Sequence, residues 1–98
     1  MPQLNKIIHE RSRLLILTHL ASNRDKEISF NEIQEKLNFT SGNLSAKLKK
    51  LGEVDYLKIR KNFKNNKPHT SIIITPKGIN ALNSYLEEMK KLIKGLRV

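Results

Sequence analysis

The fold is decided by one stretch of the sequence, FTSGNLSAKLKKLGEVDYLKIRKNFK, which covers residues 39–64. Its first half carries leucines at three- and four-residue spacing, which is typical of a helix that packs one side on a core. Its second half alternates apolar and charged residues, which is typical of a strand with one buried side. We therefore expect a helix followed by a strand, with Leu57 and Ile59 on the inner side of that strand and Phe63 as a further candidate for that side.

The predicted helix runs from Ser41 to about Gly52, and either Thr40 or Ser41 can cap it. At 100° per residue, its inner side consists of three leucines, Leu44, Leu48 and Leu51. Its outer side is small and polar near the start and cationic further along, with Gly42, Asn43, Ser45, Ala46, Lys49 and Lys50. Lys47 lies at the margin of the leucine stripe. Such an outer side suits a helix that lies against an anionic partner.

Two helices and a short strand are predicted before this stretch. Residues 9–22 carry leucines at helical spacing, and Leu15 widens the apolar stripe enough to reach a second contact surface. A short strand is expected around Ser29. Ser29 and Glu32 then form a capping box that begins a helix ending at Leu37.

After the helix and strand, the chain completes a hairpin. Residues 64–67 supply a turn, and the β-branched run at 71–74 is the expected returning strand. The hairpin, or wing, covers about residues 57–74 and is basic over residues 61–69.

A long last helix is predicted over about residues 75–96, because Thr75 is a good cap and Pro76 suits the first helical position. Its heptad a and d positions are apolar, and Tyr85 broadens the seam: Ile79, Leu82, Leu86, Met89, Ile93 and Leu96. Such a helix is longer than a small core can cover. We therefore expect these residues, with Leu15, to form a homodimer interface; the alternative is packing on the chain's own core. The whole chain, residues 1–98, is expected to be one domain.

Charge is concentrated in the middle of the chain. The 98 residues carry a net charge of +10, and residues 41–70 hold 8 Lys and Arg against 2 Asp and Glu. Such clustering favours a polyanionic partner, since Lys and Arg that neutralise phosphates release condensed counterions. A Lys-rich solubilising surface is the alternative.

Composition and spacing also predict several absences. The chain has no cysteine, and His9, His19 and His69 lack the spacing of metal ligands, so we expect no disulfide, metal or other cofactor. No apolar run is long enough for a membrane span, which predicts a soluble cytoplasmic protein without a membrane partner. No motif proposes a reaction, so we expect no enzyme.

The predicted order of helix, strand, helix, helix and hairpin is that of a winged helix-turn-helix, a mainly α fold with a small β-hairpin. Residues 39–57 and NKPHTSIIITPKG at 66–78 resemble the small winged-helix transcriptional regulators of the MarR and ArsR groups. The resemblance implies a recognition helix at 41–50, a wing at 61–69 and a homodimer built from terminal helices. The chain departs from typical MarR proteins at the wing tip, with Asn66 and Lys67 in place of Asp and Arg, and Ala46 stands where many have Arg.

Candidate DNA contacts follow from the outer side of the recognition helix and from the wing. Asn43 is the best candidate for base reading, because an amide can bond adenine in a bidentate way; helix-start hydrogen bonding is its alternative role. Lysines more often hold phosphates. The full set is Ser41, Gly42, Asn43, Ser45, Ala46, Lys47, Lys49, Lys50, Arg60, Lys61, Lys64, Lys67 and His69.

The sequence therefore predicts a homodimeric, sequence-specific regulator that binds double-stranded DNA. Two other functions stay open: a winged-helix adaptor that recruits another protein, and an architectural protein that binds nucleic acid without sequence preference. A small-molecule effector is compatible with the fold, and Leu15, Leu82 and Tyr85 would line its cleft, but no residue indicates a particular ligand.

Overall fold

The computed structural model describes residues 4–96, and in this part of the chain four helices surround one small sheet. The elements in chain order are α1 (Arg11–Ala21), β1 (Ile28–Ser29), α2 (Phe30–Leu37), α3 (Ser41–Glu53), β2 (Leu57–Lys64), β3 (Lys67–Ile74) and α4 (Pro76–Lys94). The strands are antiparallel in the order β1-β3-β2. This confirms the predicted fold class, a winged helix-turn-helix with a long last helix.

Side-chain caps fix where the helices begin. Ser29 accepts the amide of Glu32 and Thr40 accepts that of Asn43, so the predicted starts of α2 and α3 are confirmed. The capping role considered for Ser41 belongs to Thr40. Helix α1 begins at Arg11, two residues later than predicted, because the carboxylate of Glu10 accepts the first free amides of the helix.

The core lies between the inner sides of the helices and one face of the sheet. Its fully buried side chains come from every helix except α4 and from the sheet, and they include Ile8 in the segment before α1: Ile8, Ile16, Leu17, Leu20, Ile33, Leu44, Leu48, Leu51, Leu57 and Ile72. The start of α4 closes this core with Leu82 and Tyr85, which are 4% and 3% exposed. The predicted leucine stripe of α3 is thus confirmed.

The hairpin extends beyond the core, which corrects one expectation. Phe63 lies on the same face of the strand as Ile59, but it is 77% exposed, so the expectation that it joins the core is wrong; Ile59 itself is 40% exposed. The reason is that β2 and β3 are paired over a longer stretch than predicted, from Leu57–Ile74 out to Lys64–Lys67. Asn65 and Asn66 adopt the left-handed φ values of 53° and 62° that a tight two-residue turn requires, so β3 begins at Lys67 instead of residue 71. The strands therefore reach well past the helices.

Helix α4 contacts the core with its first half and projects beyond it with its second half. Its first half is packed, whereas Leu86 and Ile93 in its second half are 44% and 58% exposed. The helix ends at Lys94, two residues before the predicted end, so Leu96, which is 64% exposed, lies just beyond it. The described chain measures 56 × 25 × 21 Å, and its radius of gyration of 14.8 Å exceeds the roughly 13 Å expected for a compact chain of this length. The projecting hairpin and α4 account for this elongation.

One junction joins the end of α3, the start of β2 and the start of α4. The Thr75 hydroxyl donates a hydrogen bond to the Asp55 carbonyl at 2.6 Å and accepts one from the Gly78 amide at 2.9 Å. Gly78 lies against the backbone of Tyr56, and a Cβ at position 78 would stand 2.0 Å from the Tyr56 carbonyl oxygen. Only glycine fits there without moving α4 away from the sheet.

We predict that Gly78→Ala lowers the free energy of unfolding by at least about 2 kcal/mol, because the added methyl overlaps backbone that cannot yield. Gly52→Ala is the matched control. Its Cβ would meet Leu57 Cδ1 at an ordinary 3.8 Å, and alanine in a helix should stabilise by roughly 0.5–1 kcal/mol. Urea unfolding followed by circular dichroism measures both; equal effects of the two substitutions would contradict the close approach at Gly78.

Candidate nucleic-acid interface

The outer side of α3 is exposed along its whole length. The leucines of the inner side are at most 2% exposed, which fixes the rotation of the helix about its axis. The opposite side then presents short polar residues in the first turns and ammonium groups in the later ones. All of the following are exposed: Ser41, Gly42, Asn43, Ser45, Ala46, Lys49 and Lys50.

The pairing of β2 with β3 separates the wing residues onto two faces. On the face toward α3, Ile59 pairs with Ile72, and the next pairs outward are Lys61 with Thr70 and Phe63 with Pro68. The opposite face carries the pairs Arg60 with Ser71, Asn62 with His69 and Lys64 with Lys67. The predicted wing cations therefore occupy both faces of the hairpin and its tip.

A groove of about 760 Å³ lies between α3 and the hairpin and joins them into one surface. Phe30, Leu48 and Ile59 supply the apolar part of its lining. Ser41, Ser45 and Lys49 line it from α3, and Lys61 and Thr70 line it from the hairpin. The structure thus brings together residues of α3 and the hairpin that the sequence separates by up to 29 positions.

Two of the predicted cations have acidic partners within the chain. The Lys47 ammonium lies 3.3 Å from a carboxylate oxygen of Glu10, at the start of α1. Arg60 Nε lies 3.3 Å from Glu27, whose carboxylate also accepts a hydrogen bond from the Ser71 hydroxyl. Sequence reasoning missed both acids, because each is distant in sequence from its partner. His69 is half-buried on the outer face of the hairpin.

The Glu10 carboxylate links α1 to α3 and has a perturbed pKa. Partial burial acts to raise the pKa, but the hydrogen bonds from the Ser12 and Arg13 amides and the nearby Lys47 ammonium outweigh it. The pKa of Glu10 therefore lies below its ordinary value of 4.5. The ionised carboxylate consequently stabilises the folded chain above this pH, and that contribution is lost as the pH falls through the lowered pKa.

We predict that Glu10→Gln is less stable than the unsubstituted protein by about 0.5–1 kcal/mol at pH 7, since glutamine keeps an acceptor but lacks the charge. The difference should narrow as the pH falls below 4.5, where Glu10 itself becomes protonated. Urea unfolding of both proteins at pH 7 and at about pH 3 measures this. A difference that stays constant between the two pH values would show that the charge contributes nothing.

Neither a membrane span nor a metal cluster is found in residues 4–96. No helix there is long and apolar enough to cross a membrane. The same residues contain no group of three or more His, Asp or Glu side chains placed to hold a metal ion.

Two comparisons by sequence address the family. The family model described as a winged helix DNA-binding domain matches residues 12–93, a span that includes all of α1 but its first residue, the whole of α3 and the whole hairpin. An uncharacterized protein of Methanocaldococcus jannaschii is 40% identical over 67 residues, which are 68% of this chain and 73% of that protein.

Solved structures give the same result for the fold. The transcriptional regulator homologue protein from Pyrococcus horikoshii OT3 has a TM-score of 0.85 at 29% identity, with 94% of this chain and 89% of that chain covered. A MarR-family transcriptional regulator from Porphyromonas gingivalis W83 has a TM-score of 0.70 at 23% identity, with coverages of 93% and 86%. MepR of Staphylococcus aureus, solved as a complex with DNA, has a TM-score of 0.75 at 15% identity, with coverages of 90% and 70%. The chain therefore belongs to the winged helix DNA-binding domain family and has the fold of MarR-family transcriptional regulators.

Proposed function

We propose that this protein is a homodimeric transcriptional regulator that binds specific sequences in double-stranded DNA. In this proposal α3 lies in the major groove, and the hairpin lies on the backbone or in the adjacent minor groove. The observation that carries the proposal is a shared groove: Ser41, Ser45 and Lys49 on the outer side of α3 line it together with Lys61 and Thr70 of the hairpin. MepR, which has the same fold, was solved as a complex with DNA, and this supports DNA as the partner.

Base reading is assigned to the first turns of α3. Short polar side chains on a helix in the major groove can hydrogen-bond directly to base edges. Asn43 and Ser45 are both exposed in these turns. The capping bond at the start of α3 is made by Thr40, whose hydroxyl accepts the Asn43 backbone amide at 3.2 Å. This leaves the Asn43 carboxamide on the outer side, where it suits a bidentate contact to adenine.

Phosphate binding is assigned to the exposed cations of α3 and of the wing. Lys49 and Lys50 are exposed on the later turns of α3, and Lys61, Lys64 and Lys67 are exposed on the hairpin. Each phosphate that such a lysine neutralises contributes about 0.9 to the slope of log affinity against log salt concentration. Lys47 and Arg60 are expected to contribute less, because each already has an acidic partner.

We predict that Lys50→Ala reduces this salt slope by about 1, whereas Lys47→Ala, three positions earlier on the same helix, changes it much less. Lys64→Ala and Lys67→Ala should resemble Lys50→Ala and weaken binding to all duplexes alike. Fluorescence anisotropy with a labelled duplex across a salt series measures the slopes. Slopes that no lysine substitution changes would contradict the assigned interface.

Dimer formation is assigned to α4. Leu86, Leu92 and Ile93 are exposed apolar side chains in its second half, and Leu96 is exposed just after its end. Together they form an apolar stripe, and Leu15 on α1 is half-buried. Leu82 and Tyr85, predicted for the same interface, are already buried in the core of one chain, so they hold α4 in place and offer little surface to a second chain. Ile79 and Met89 are half-buried against the core.

We predict that Ile93→Glu converts a dimer into a monomer and weakens DNA binding, because a charge in the apolar stripe must be desolvated when two chains associate. Ser84→Glu is the matched control, since Ser84 is exposed on the opposite side of α4. Sedimentation equilibrium gives the mass of each variant. A monomeric unsubstituted protein, or a dimeric Ile93→Glu, would contradict the proposed role of this stripe.

The experiment that tests the proposed function is selection from a pool of random duplexes at about 150 mM salt, followed by sequencing. A dimer places its recognition helices roughly 34–36 Å apart, so two related half-sites about one helical turn apart should be enriched. Binding without an enriched motif would identify an architectural protein instead. Failure to bind duplexes at any salt concentration would exclude DNA as the partner and favour the protein-adaptor function.

A further inference from the structure

Phe63 is an apolar side chain in an unusual place. At 77% it is the most exposed of the large apolar side chains in residues 4–96. Three of the other five such exposed residues lie on the second half of α4, and a fourth, Leu96, follows directly after that helix, where a second chain can cover them. Phe63 instead stands near the tip of the basic hairpin, with lysines at positions 61, 64 and 67 around it. An apolar protein surface is a poor partner for such a site, whereas a polyanion with apolar base faces suits it.

The hairpin aims Phe63 toward the same side as α3. Lys61 and Thr70 form the outermost hairpin pair that lines the groove against α3. Phe63 and Pro68 form the next pair on that face, and two residues along a strand advance about 6.8 Å. The apolar pair therefore extends the proposed DNA-binding surface outward, beyond the Lys61–Thr70 pair and short of the tip.

The hairpin also holds this position firmly. The two strands are paired from Leu57–Ile74 out to Lys64–Lys67, and the tight turn at Asn65 and Asn66 closes them directly after Phe63 and Lys64. Pro68, its partner on the opposite strand, has a fixed φ and adds a second apolar side chain on the same face. The backbone that carries the ring therefore loses little conformational entropy when the ring enters a narrow site.

We propose that Phe63, backed by Pro68, is a wedge that enters the minor groove and partly unstacks one base step, so that the bound DNA bends. This inference rests on the proposed function and specifies what the wing does there. Proteins that bind the minor groove insert phenylalanine or proline between base steps in this way, and the unstacking favours a bend. The lysines beside the ring hold the phosphates on either side of the groove.

The wedge has a consequence for sequence preference. Pyrimidine–purine steps, TA and CA/TG, are the easiest to kink and unstack. The unsubstituted protein should therefore enrich such a step outside the part of the site that α3 reads. Phe63→Ala should lose that enrichment and keep the motif read by α3.

The test compares four variants on the tightest-binding duplex recovered from the random pool, labelled at its ends for energy transfer. Phe63→Ala should bind about 5-fold or more weakly with an unchanged salt slope, and the duplex should bend less. Phe63→Leu, which keeps an apolar wedge, should retain most of the affinity and the bend. Asn62→Ala, the neighbouring exposed position on the other face, should leave both unchanged, and Lys64→Ala should change the salt slope.

Three results would overturn the wedge. Phe63→Ala that binds and bends DNA like the unsubstituted protein would overturn it and leave the proposed function intact, provided Lys64→Ala still changes the salt slope. If the unsubstituted protein is a dimer and Phe63→Ala is a monomer, the ring contacts a second chain and not DNA. If the unsubstituted protein binds no duplex, the proposed function itself fails and the wedge with it. Thermal unfolding of Phe63→Ala checks that this exposed position has little effect on folding.

Discussion

The burial of Leu44, Leu48 and Leu51 is the interaction on which the rest of the structure depends. A helix presents to solvent only the side opposite its buried stripe, so these three leucines decide that Asn43, Ser45 and the later lysines of α3 face outward. Rotating α3 by a single residue would expose leucine side chains at roughly 1.5–3 kcal/mol each. The hydrophobic core, rather than any polar contact, therefore sets the chemistry of the outer surface.

A second constraint places the hairpin beside that surface. Leu57 is buried and anchors the base of β2 in the core. Thr75 and Gly78 hold the start of α4 against residues 55 and 56, which lie directly before β2. This junction thus positions two elements at once: the basic hairpin, which lies next to α3, and α4, whose second half projects beyond the core. Stability and proposed function are coupled here, because a shift at Gly78 would move both.

Sequence predicted what depends on local pattern and missed what depends on long-range contacts. Leucine spacing and the caps at Ser29, Thr40 and Thr75 predicted the ends of three helices within a residue or two. Both signals depend only on residues that are close together in the sequence. The exposure of Phe63 was missed, because alternation shows which side of a strand a residue faces and not how far the core extends. The partners of Lys47 and Arg60 were missed for the related reason that Glu10 and Glu27 are brought near only by folding.

The central claim, that the outer side of α3 contacts base pairs, has a direct test because the chain contains no cysteine. A photocrosslinker attached to Ala46→Cys would stand on the outer side of α3, and one attached to Glu87→Cys would stand on α4 as a control. The measurement is the position of crosslinks on the selected duplex. We predict base crosslinks within the enriched motif from position 46 and none from position 87. Crosslinks that are equally frequent from both positions, or absent from position 46 while the duplex is bound, would contradict the claim.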